Sequence, residues 1–318
     1  MRSGGRRRWL WAVVAGLAPW AWFAVRNLGF VFDLVAIGLP VGLAGAALAL
    51  AVAGAVRHRP ELAAGVVSCL LAAGVVVVGP GRPEPVPPPV TALRIVSANV
   101  NSHNRSLDRA VADALAQRGD LVLLIEAGKG TVVPPADYPT VIRPKYSNQV
   151  ILSRFPARLL DRPAVWPKNF RAHRLQVEAP SGPVVVYVVH LVRPHLGPRR
   201  IWRIRSQMHA QRKERESLLA AARAETVPVV LAGDFNTPDR SSGYRHLRSR
   251  FRDAMRARRA GPTYMGRGWS KLLWRPFLLR IDHVFMPEDW CSGRPERFTL
   301  HGSDHRGVAV DVGPCPVL

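Results

Sequence analysis

Six apolar runs in this chain each carry, at or just past their ends, side chains able to do chemistry. LRIVSANVN carries Asn99, LVLLIEA reaches Glu126, VVVYVVH ends in His190, and VPVVLAGDFN delivers Asp234 and Asn236 two residues apart. LLRIDHVF then carries Asp282, and GSDH places Asp304 and His305 just before a last apolar run, Val308 to Val312. Carboxylates and a carboxamide can hold a hard divalent cation, carboxylates and imidazoles can move protons, and amide and imidazole N–H groups can hydrogen-bond an anion. Taken singly each residue has a plain structural reading: Asn or Asp after a strand makes a turn, a lone His is hydrogen-bonded, a Glu is solvated. Their recurrence at run ends is the signal, because that is where a rigid scaffold aims side chains into one cleft.

The elements that would position them are short and alternate in type. Leu93 to Val96, Leu121 to Ile125, Val150 to Leu152, Val184 to Val189 and Val227 to Leu231 read as strands, and residues 106 to 117 and 201 to 223 read as helices. Residues 93–313 therefore form a sheet-and-helix domain with no internal repeat.

In this order the residues resemble the endonuclease/exonuclease/phosphatase family, which includes deoxyribonucleases of the pancreatic type, abasic-site endonucleases and neutral sphingomyelinases. The Gly-Asp-Phe-Asn tetrad Gly233 to Asn236 and the closing Ser303 to His305 carry the resemblance most specifically, and it spans residues 93–313. It implies an α/β (α+β) four-layer sandwich of two mixed β-sheets flanked by helices. By the same resemblance Glu126 is the principal metal carboxylate, with Asn99 beside it and Asp304 a further ligand. Asp234 orients and deprotonates the attacking water, and Asn236 and His190 face the phosphoryl oxygens. His305 contacts the scissile phosphate, with Asp282 as the carboxylate that orients it. Hydrolysis of a phosphate ester needs such a set: a metal to neutralise the phosphate, a base for water, and donors for developing charge. Few carboxylates completed by water suit Mg2+, with Mn2+ able to substitute.

Two features depart from that family pattern. Ala127-Gly128-Lys129-Gly130 replaces bulkier residues after Glu126, and the basic or aromatic residue expected between Ser153-Arg154 and the His190 strand has Asn169, Arg171 and His173 as candidates.

Composition bears on the partner. The formal charge of +23 falls mostly after residue 92 and gathers in residues 193 to 215 and 245 to 259. Such surfaces attract nucleic acid in a salt-dependent way and attract anionic lipid headgroups equally, while a solvated helix face is the plain reading. Gly266 to Leu279, with Trp269 and Trp274 among Leu and basic residues, suits a membrane interface or stacking on a base, with core burial as the rival. With 318 residues, 48% of them hydrophobic, a disulfide-stapled miniprotein and a disordered tail are excluded.

Residues 1–80 read as a membrane anchor of three transmembrane helices, Trp9 to Val25, Leu28 to Val56 and Leu62 to Val78, followed by a Pro-rich linker over residues 81–92. A cleaved signal peptide is the competitor for the first. Arg2, Arg6, Arg7, Arg8, Arg57 and Arg59 against Arg26 put the N-terminus in the cytoplasm, which makes this a multi-pass cell-membrane protein with its catalytic domain extracytoplasmic. Asp33 reads as an interfacial residue near Arg26, or as an intramembrane functional acid. Cys69 lies in an apolar run, and an extracytoplasmic location permits Cys291 and Cys315 to pair, two free thiols being the alternative.

The expected function is a metal-dependent phosphodiesterase or nuclease. A phospholipid headgroup hydrolase or phosphomonoesterase is the alternative. A non-catalytic polyanion-binding membrane protein is the third reading, and its signature, a missing metal or base residue, is not found in the chain.

Overall fold

The computed structural model describes residues 30–56, 62–78, 83–128, 132–145, 147–195, 201–258, 260–266, 271–272 and 275–317, together with Leu17, Trp20 and Ala21. In chain order its main elements are α1 (Phe30–Val56), α2 (Leu62–Val78), β1 (Leu93–Asn99), α3 (Leu107–Leu115), β2 (Leu121–Ile125), β3 (Thr140–Ile142), β4 (Val150–Ser153) and β5 (Ala157–Leu159). There follow β6 (Arg171–Ala179), β7 (Gly182–His190), α4 (Ile204–Arg223), β8 (Val229–Asp234), α5 (Ser242–Arg248), β9 (Arg252–Asp253), β10 (Asp282–Met286), β11 (Trp290–Thr299) and β12 (Arg306–Pro314).

The strands form two six-stranded mixed sheets, β11-β12-β1-β2-β4-β3 and β5-β6-β7-β8-β10-β9. Alternation along each strand explains why the sheets stack. Leu93 and Ile95 of β1 and Leu121 and Leu123 of β2 turn inward to meet Val184, Val186 and Val188 of β7 and Val230 of β8 in one core. Their neighbours Val96, Ala98, Val122 and Leu124 face outward beneath Ala110, Val111 and Ala114 of α3. On the other side Val185, Tyr187, Val189 and Leu231 are covered by Leu218 and Leu219 of α4 and by Tyr244 and Leu247 of α5. Four layers result, and strands buried on both faces account for the uninterrupted apolar runs of the sequence. Each fully buried Leu or Val side chain contributes at most about 2 to 3 kcal/mol.

Two parallel pairings matter most for the site. β1 pairs with β2 with Asn99 opposite Ile125, and β7 pairs with β8 with His190 opposite Asp234. β10 then runs antiparallel to β8 with Asp282 opposite Asp234. The ends of four parallel-paired strands and the start of β10 thus bring their polar residues together.

The N-terminal expectation is corrected. Among the described residues no helix is long and apolar enough to cross a membrane. That overturns the three transmembrane helices, the membrane contact through residues 9–78 and the multi-pass localisation with its two-sided topology. The first of those runs lies outside the described residues apart from Leu17, Trp20 and Ala21, and Trp269 and Trp274 lie outside them too. α2, with 17 residues, is about 25 Å long against a hydrocarbon core of about 30 Å. An apolar run records that a segment can be buried, without saying against what, and the start of α1 is buried against protein. Asp33, 7% exposed, accepts hydrogen bonds from Ser242 N at 2.6 Å and from Ser242 Oγ. Ile37 packs on Tyr264, Leu279 and Ile281. Asp33 is therefore protein-facing here, and Arg26, its expected neighbour, lies outside the described residues.

The segment before β1 also lies along the sandwich. Glu84 is bound by both terminal nitrogens of Arg248, at 2.9 and 2.7 Å, and by Arg256 at 2.9 Å, and Val90 N donates to Pro314 O at 3.0 Å. Cys291 and Cys315 form a disulfide, with Cα atoms 4.8 Å apart, that ties the start of β11 to the chain just after β12. Cys69 is free and buried.

Candidate active site

Asn99 is the pivot of the polar cluster at the strand ends. Buried at the end of β1, it donates through Nδ2 to Glu126 Oε1 at 3.2 Å and to Asp234 Oδ2 at 3.0 Å, so one amide bridges carboxylates from the two sheets. Its Oδ1 accepts from Asn101 N at 3.1 Å, which sets the direction of the carboxamide. Glu126 follows β2 with φ of 56°, a left-handed conformation that a non-glycine residue holds only when its surroundings enforce it. Ser102 supplies part of that enforcement, donating to Glu126 Oε2 from N at 3.2 Å and from Oγ at 3.3 Å.

Asp234, 1% exposed, ends β8. It accepts from Asn236 N at 2.9 Å and from Asn236 Nδ2 at 3.3 Å, a turn that holds Asn236 at φ of 47°. His190 Nε2 is 3.5 Å from Glu126 Oε1 and 3.8 Å from Asp234 Oδ2. His305 is held at Nδ1 by Asp282 Oδ2, 2.9 Å away, and presents Nε2 to Asp234 Oδ2 at 3.8 Å. Asp304 accepts from Asn101 Nδ2 at 2.6 Å, and Ser303 Oγ donates to Asn99 O at 2.7 Å, which locks the closing Ser-Asp-His turn onto the end of β1.

The electrostatics divide these groups by role. Burial raises Asp234, opposed by His305 and assisted by Asp282, and its carboxyl is pushed up to about 7. Burial would lower His305, but Asp282 and Asp234 outweigh it and lift the imidazole to about 10, so it is charged at neutral pH. Burial takes His190 the other way, down to about 4 despite Glu126, and it is neutral. Glu126 is pushed up by burial, yet His190, the Ser102 amide, Asn99 and His305 together hold it below the usual carboxylate range.

All eight residues named from the sequence surround this one locus: Asn99, Glu126, His190, Asp234, Asn236, Asp282, Asp304 and His305. Glu126, His190, Asp234, Asn236, Asp304 and His305 line a groove of about 1420 Å³, whose walls carry Arg143, Lys145, Arg162, Lys168, Arg171 and Arg193. Asp282 stands behind His305, and Asn99 lies beneath the two carboxylates it joins. Of the three candidates for the basic or aromatic position, Asn169, Arg171 and His173 all line the groove.

Several contributors escaped the sequence reading. Asn101, with φ of 63°, and Ser102 link Asp304 and Glu126 to β1, and the polar run after Asn99 was the available signal. Tyr264 packs edge-on against His305 with ring centroids 5.2 Å apart and accepts a 2.6 Å hydrogen bond from Arg193. Gln211 of α4 donates to Val192 O at 3.0 Å and Asn236 O at 2.8 Å, which ties the exits of β7 and β8 together. No local pattern distinguishes Tyr264 or Gln211 in the sequence.

The donor set suits a hard divalent cation. Ligand atoms of Asp234, Asp282 and His305 lie within 4.8 Å of one another. The Asp282 oxygen is committed to His305, and the charged form of that imidazole is favoured, so the better donors are the groove-facing carboxylates Glu126 and Asp304, with Asn99 adjacent. Asn99 turns its nitrogen toward Glu126, and ligation through its oxygen requires a turn of the carboxamide.

Comparison with known proteins bears on the family and the fold. A family model described as Endonuclease/Exonuclease/phosphatase family matches residues 96–305. No curated protein matches the chain. Among solved structures, an endonuclease/exonuclease/phosphatase from Beutenbergia cavernae DSM 12333 is similar at 20% identity over 72% of this chain and 73% of that one, with a TM-score of 0.51. Sphingomyelinase C from Streptomyces griseocarneus is similar at 16% identity over 69% and 99%, with a TM-score of 0.47. A Neisseria 3′ phosphatase bound to a product DNA hairpin gives 18% identity over 69% and 98%, with a TM-score of 0.47.

Proposed function

The chain belongs to the endonuclease/exonuclease/phosphatase family, whose members hydrolyse phosphate esters, and from that premise we propose that it is a divalent-metal-dependent phosphodiesterase acting on nucleic acid. The observation that carries the reading is the meeting of Glu126, His190, Asp234 and His305 within 4 Å contacts at the head of a basic groove. Glu126 would hold the cation, Mg2+ or Mn2+, with Asn99 and Asp304 beside it. When bound, the cation neutralises phosphate charge and makes the phosphorus more open to attack.

This chain's own residues account for the rest. Asp234, with its affinity for a proton raised toward neutrality, takes the proton of the attacking water. Charged His305, held by Asp282, donates from Nε2 to a phosphoryl oxygen and stabilises the charge that develops there. Neutral His190 supplies a further donor at the same oxygens. The Asn236 carboxamide already donates to Leu191 O at 3.0 Å and to Asp234 Oδ2 at 3.3 Å, and turns toward the phosphoryl oxygens only by releasing one of those bonds. The basic groove walls favour a polyanion.

A second reading, a phospholipid headgroup hydrolase, is favoured by the exposure of Trp202 and Leu272, 70% and 71%, side chains suited to a lipid surface. To separate the two, the full chain is offered plasmid DNA, RNA, sphingomyelin and phosphoinositides, each with Mg2+ and with chelator. Nucleic acid is expected to be cut only with metal, and Asp234→Asn is expected to lower kcat by about 10³-fold, within the range a general base supplies, with unchanged circular dichroism. Cleavage of lipid alone selects the second reading. Turnover that survives both the chelator and Asp234→Asn refutes the mechanism.

A further inference from the structure

We propose that the first two turns of α1 are a positioning element of the active site, with Asp33 as its key residue; the inference rests on the hydrolytic reading above. α1 precedes the catalytic sandwich by more than thirty residues, yet its start touches three segments that each lead into a catalytic group. The first is the loop after β8. Asp33 accepts from both N and Oγ of Ser242, six residues beyond Asn236. Ser242 opens α5, so its amide has no partner within the helix, and a carboxylate there is favoured by the hydrogen bond and by the helix dipole.

The second segment is the approach to Asp282. Arg240, buried in the same loop, donates to Ile37 O at 2.9 Å, to Leu278 O at 3.2 Å and to Phe277 O. One guanidinium therefore joins α1, the exit of Asp234 and Asn236, and the entry to Asp282. The third is the neighbour of His305. The Ile37 side chain packs with Leu279, Ile281 and Tyr264, and Tyr264 lies edge-on against the His305 ring at 5.2 Å.

Charge reinforces the fit. Asp33 faces Arg215, a buried cation of α4 whose guanidinium burial destabilises and Asp33 favours. Arg215 stands one helical turn beyond Gln211, the residue that holds Asn236 O and Val192 O. Removing Asp33 leaves Arg215 without that carboxylate and releases Ser242, and both disturbances reach the Asn236 turn. A shift on the order of 1 Å at a reacting group can cost about 10²-fold in rate. Asp33 acts on placement of the catalytic groups, so its signature is in kcat with KM unmoved.

The test uses the full chain, bis(p-nitrophenyl) phosphate as the diester probe with Mg2+, and amide hydrogen exchange over residues 236–248. Asp33→Ala is expected to lower kcat about tenfold with KM within twofold, and to speed exchange at Ser242. Asp33→Asn, which keeps an acceptor oxygen for the Ser242 amide, is expected to recover part of both. Should Asp33→Ala fail to fold, Ser242→Ala, which deletes only the hydroxyl bond, is expected to lower kcat about threefold, part of the Asp33→Ala effect. Unchanged kcat, or unchanged exchange at Ser242, in a folded Asp33→Ala protein overturns the proposal. If the wild-type chain leaves this diester intact, kcat is read on whichever of plasmid DNA, RNA, sphingomyelin or phosphoinositides it cleaves. If it cleaves none of them with Mg2+, the hydrolytic reading fails, and the exchange at Ser242 alone decides whether α1 braces the loop.

Discussion

Asp234 and His305 are both buried and lie 3.8 Å apart, and their protonation is governed by opposite balances. Desolvation and the nearby Asp282 favour the neutral acid, while the two carboxylates around His305 favour the imidazolium over its own desolvation. Catalysis as proposed requires Asp234 without its proton and His305 with one. Turnover should therefore rise with pH through about 7, as Asp234 ionises, and fall above about 10, as His305 loses its charge. Asp282→Asn removes the partner that keeps His305 charged, so the falling limb of the kcat profile should move to lower pH while the rising limb stays within about one unit. A falling limb that does not move would remove Asp282 from this role. Asp282 and His305 were readable in the sequence as types at strand ends, and the family resemblance implied that Asp282 favours the charged imidazole. How far His305 is raised was not readable, because burial and a neighbour 23 positions away decide it.

The elements deliver these side chains through register. His190, Asp234 and Asp282 stand in one row across β7, β8 and β10, and Asn99 lies opposite Ile125, next to Glu126. Gly233 permits the β7–β8 approach at its catalytic end. Its φ is +146°, and a Cβ there would sit 2.0 Å from Val189 O. Gly233→Ala should destabilise the fold by about 3 kcal/mol, in the range of substitutions that break a special backbone position, which a urea midpoint would register. A midpoint equal to that of the wild type would show that the strands tolerate separation there. Strand positions were legible because strands buried on both faces read as continuous apolar runs. Which strands lie side by side was not, because the sheets interleave distant segments, as when β12 pairs with β1.

At the scale of the whole molecule, the two sheets and their covering helices form the rigid frame, and segments outside it are tied on at specific points. Glu84 binds Arg248 and Arg256, Asp33 binds Ser242, and the Cys291–Cys315 disulfide closes a 24-residue separation at the sheet edge formed by β11 and β12. Reduction of that bond should lower stability by about 3 kcal/mol for a loop of this length. Thermal unfolding with and without reductant, against a Cys291→Ser/Cys315→Ser variant, would measure it. A reductant effect that persists in the double variant would locate the loss elsewhere.

Side-chain type, spacing and alternation are local properties, and they sufficed to mark the strand-end residues from Asn99 to His305, a sheet-and-helix domain and the basic character of the chain, while the sandwich class came from the family resemblance those residues carry. Tertiary structure decided what each apolar or charged segment is buried against. The sequence reading placed α1 and Asp33 in or at a membrane and the structure places their start against protein, because hydropathy measures the drive to leave water and carries no information about the partner. Ser242, Arg240 and Tyr264 supplied that partner from more than 200 residues away, a contact that only the folded chain creates.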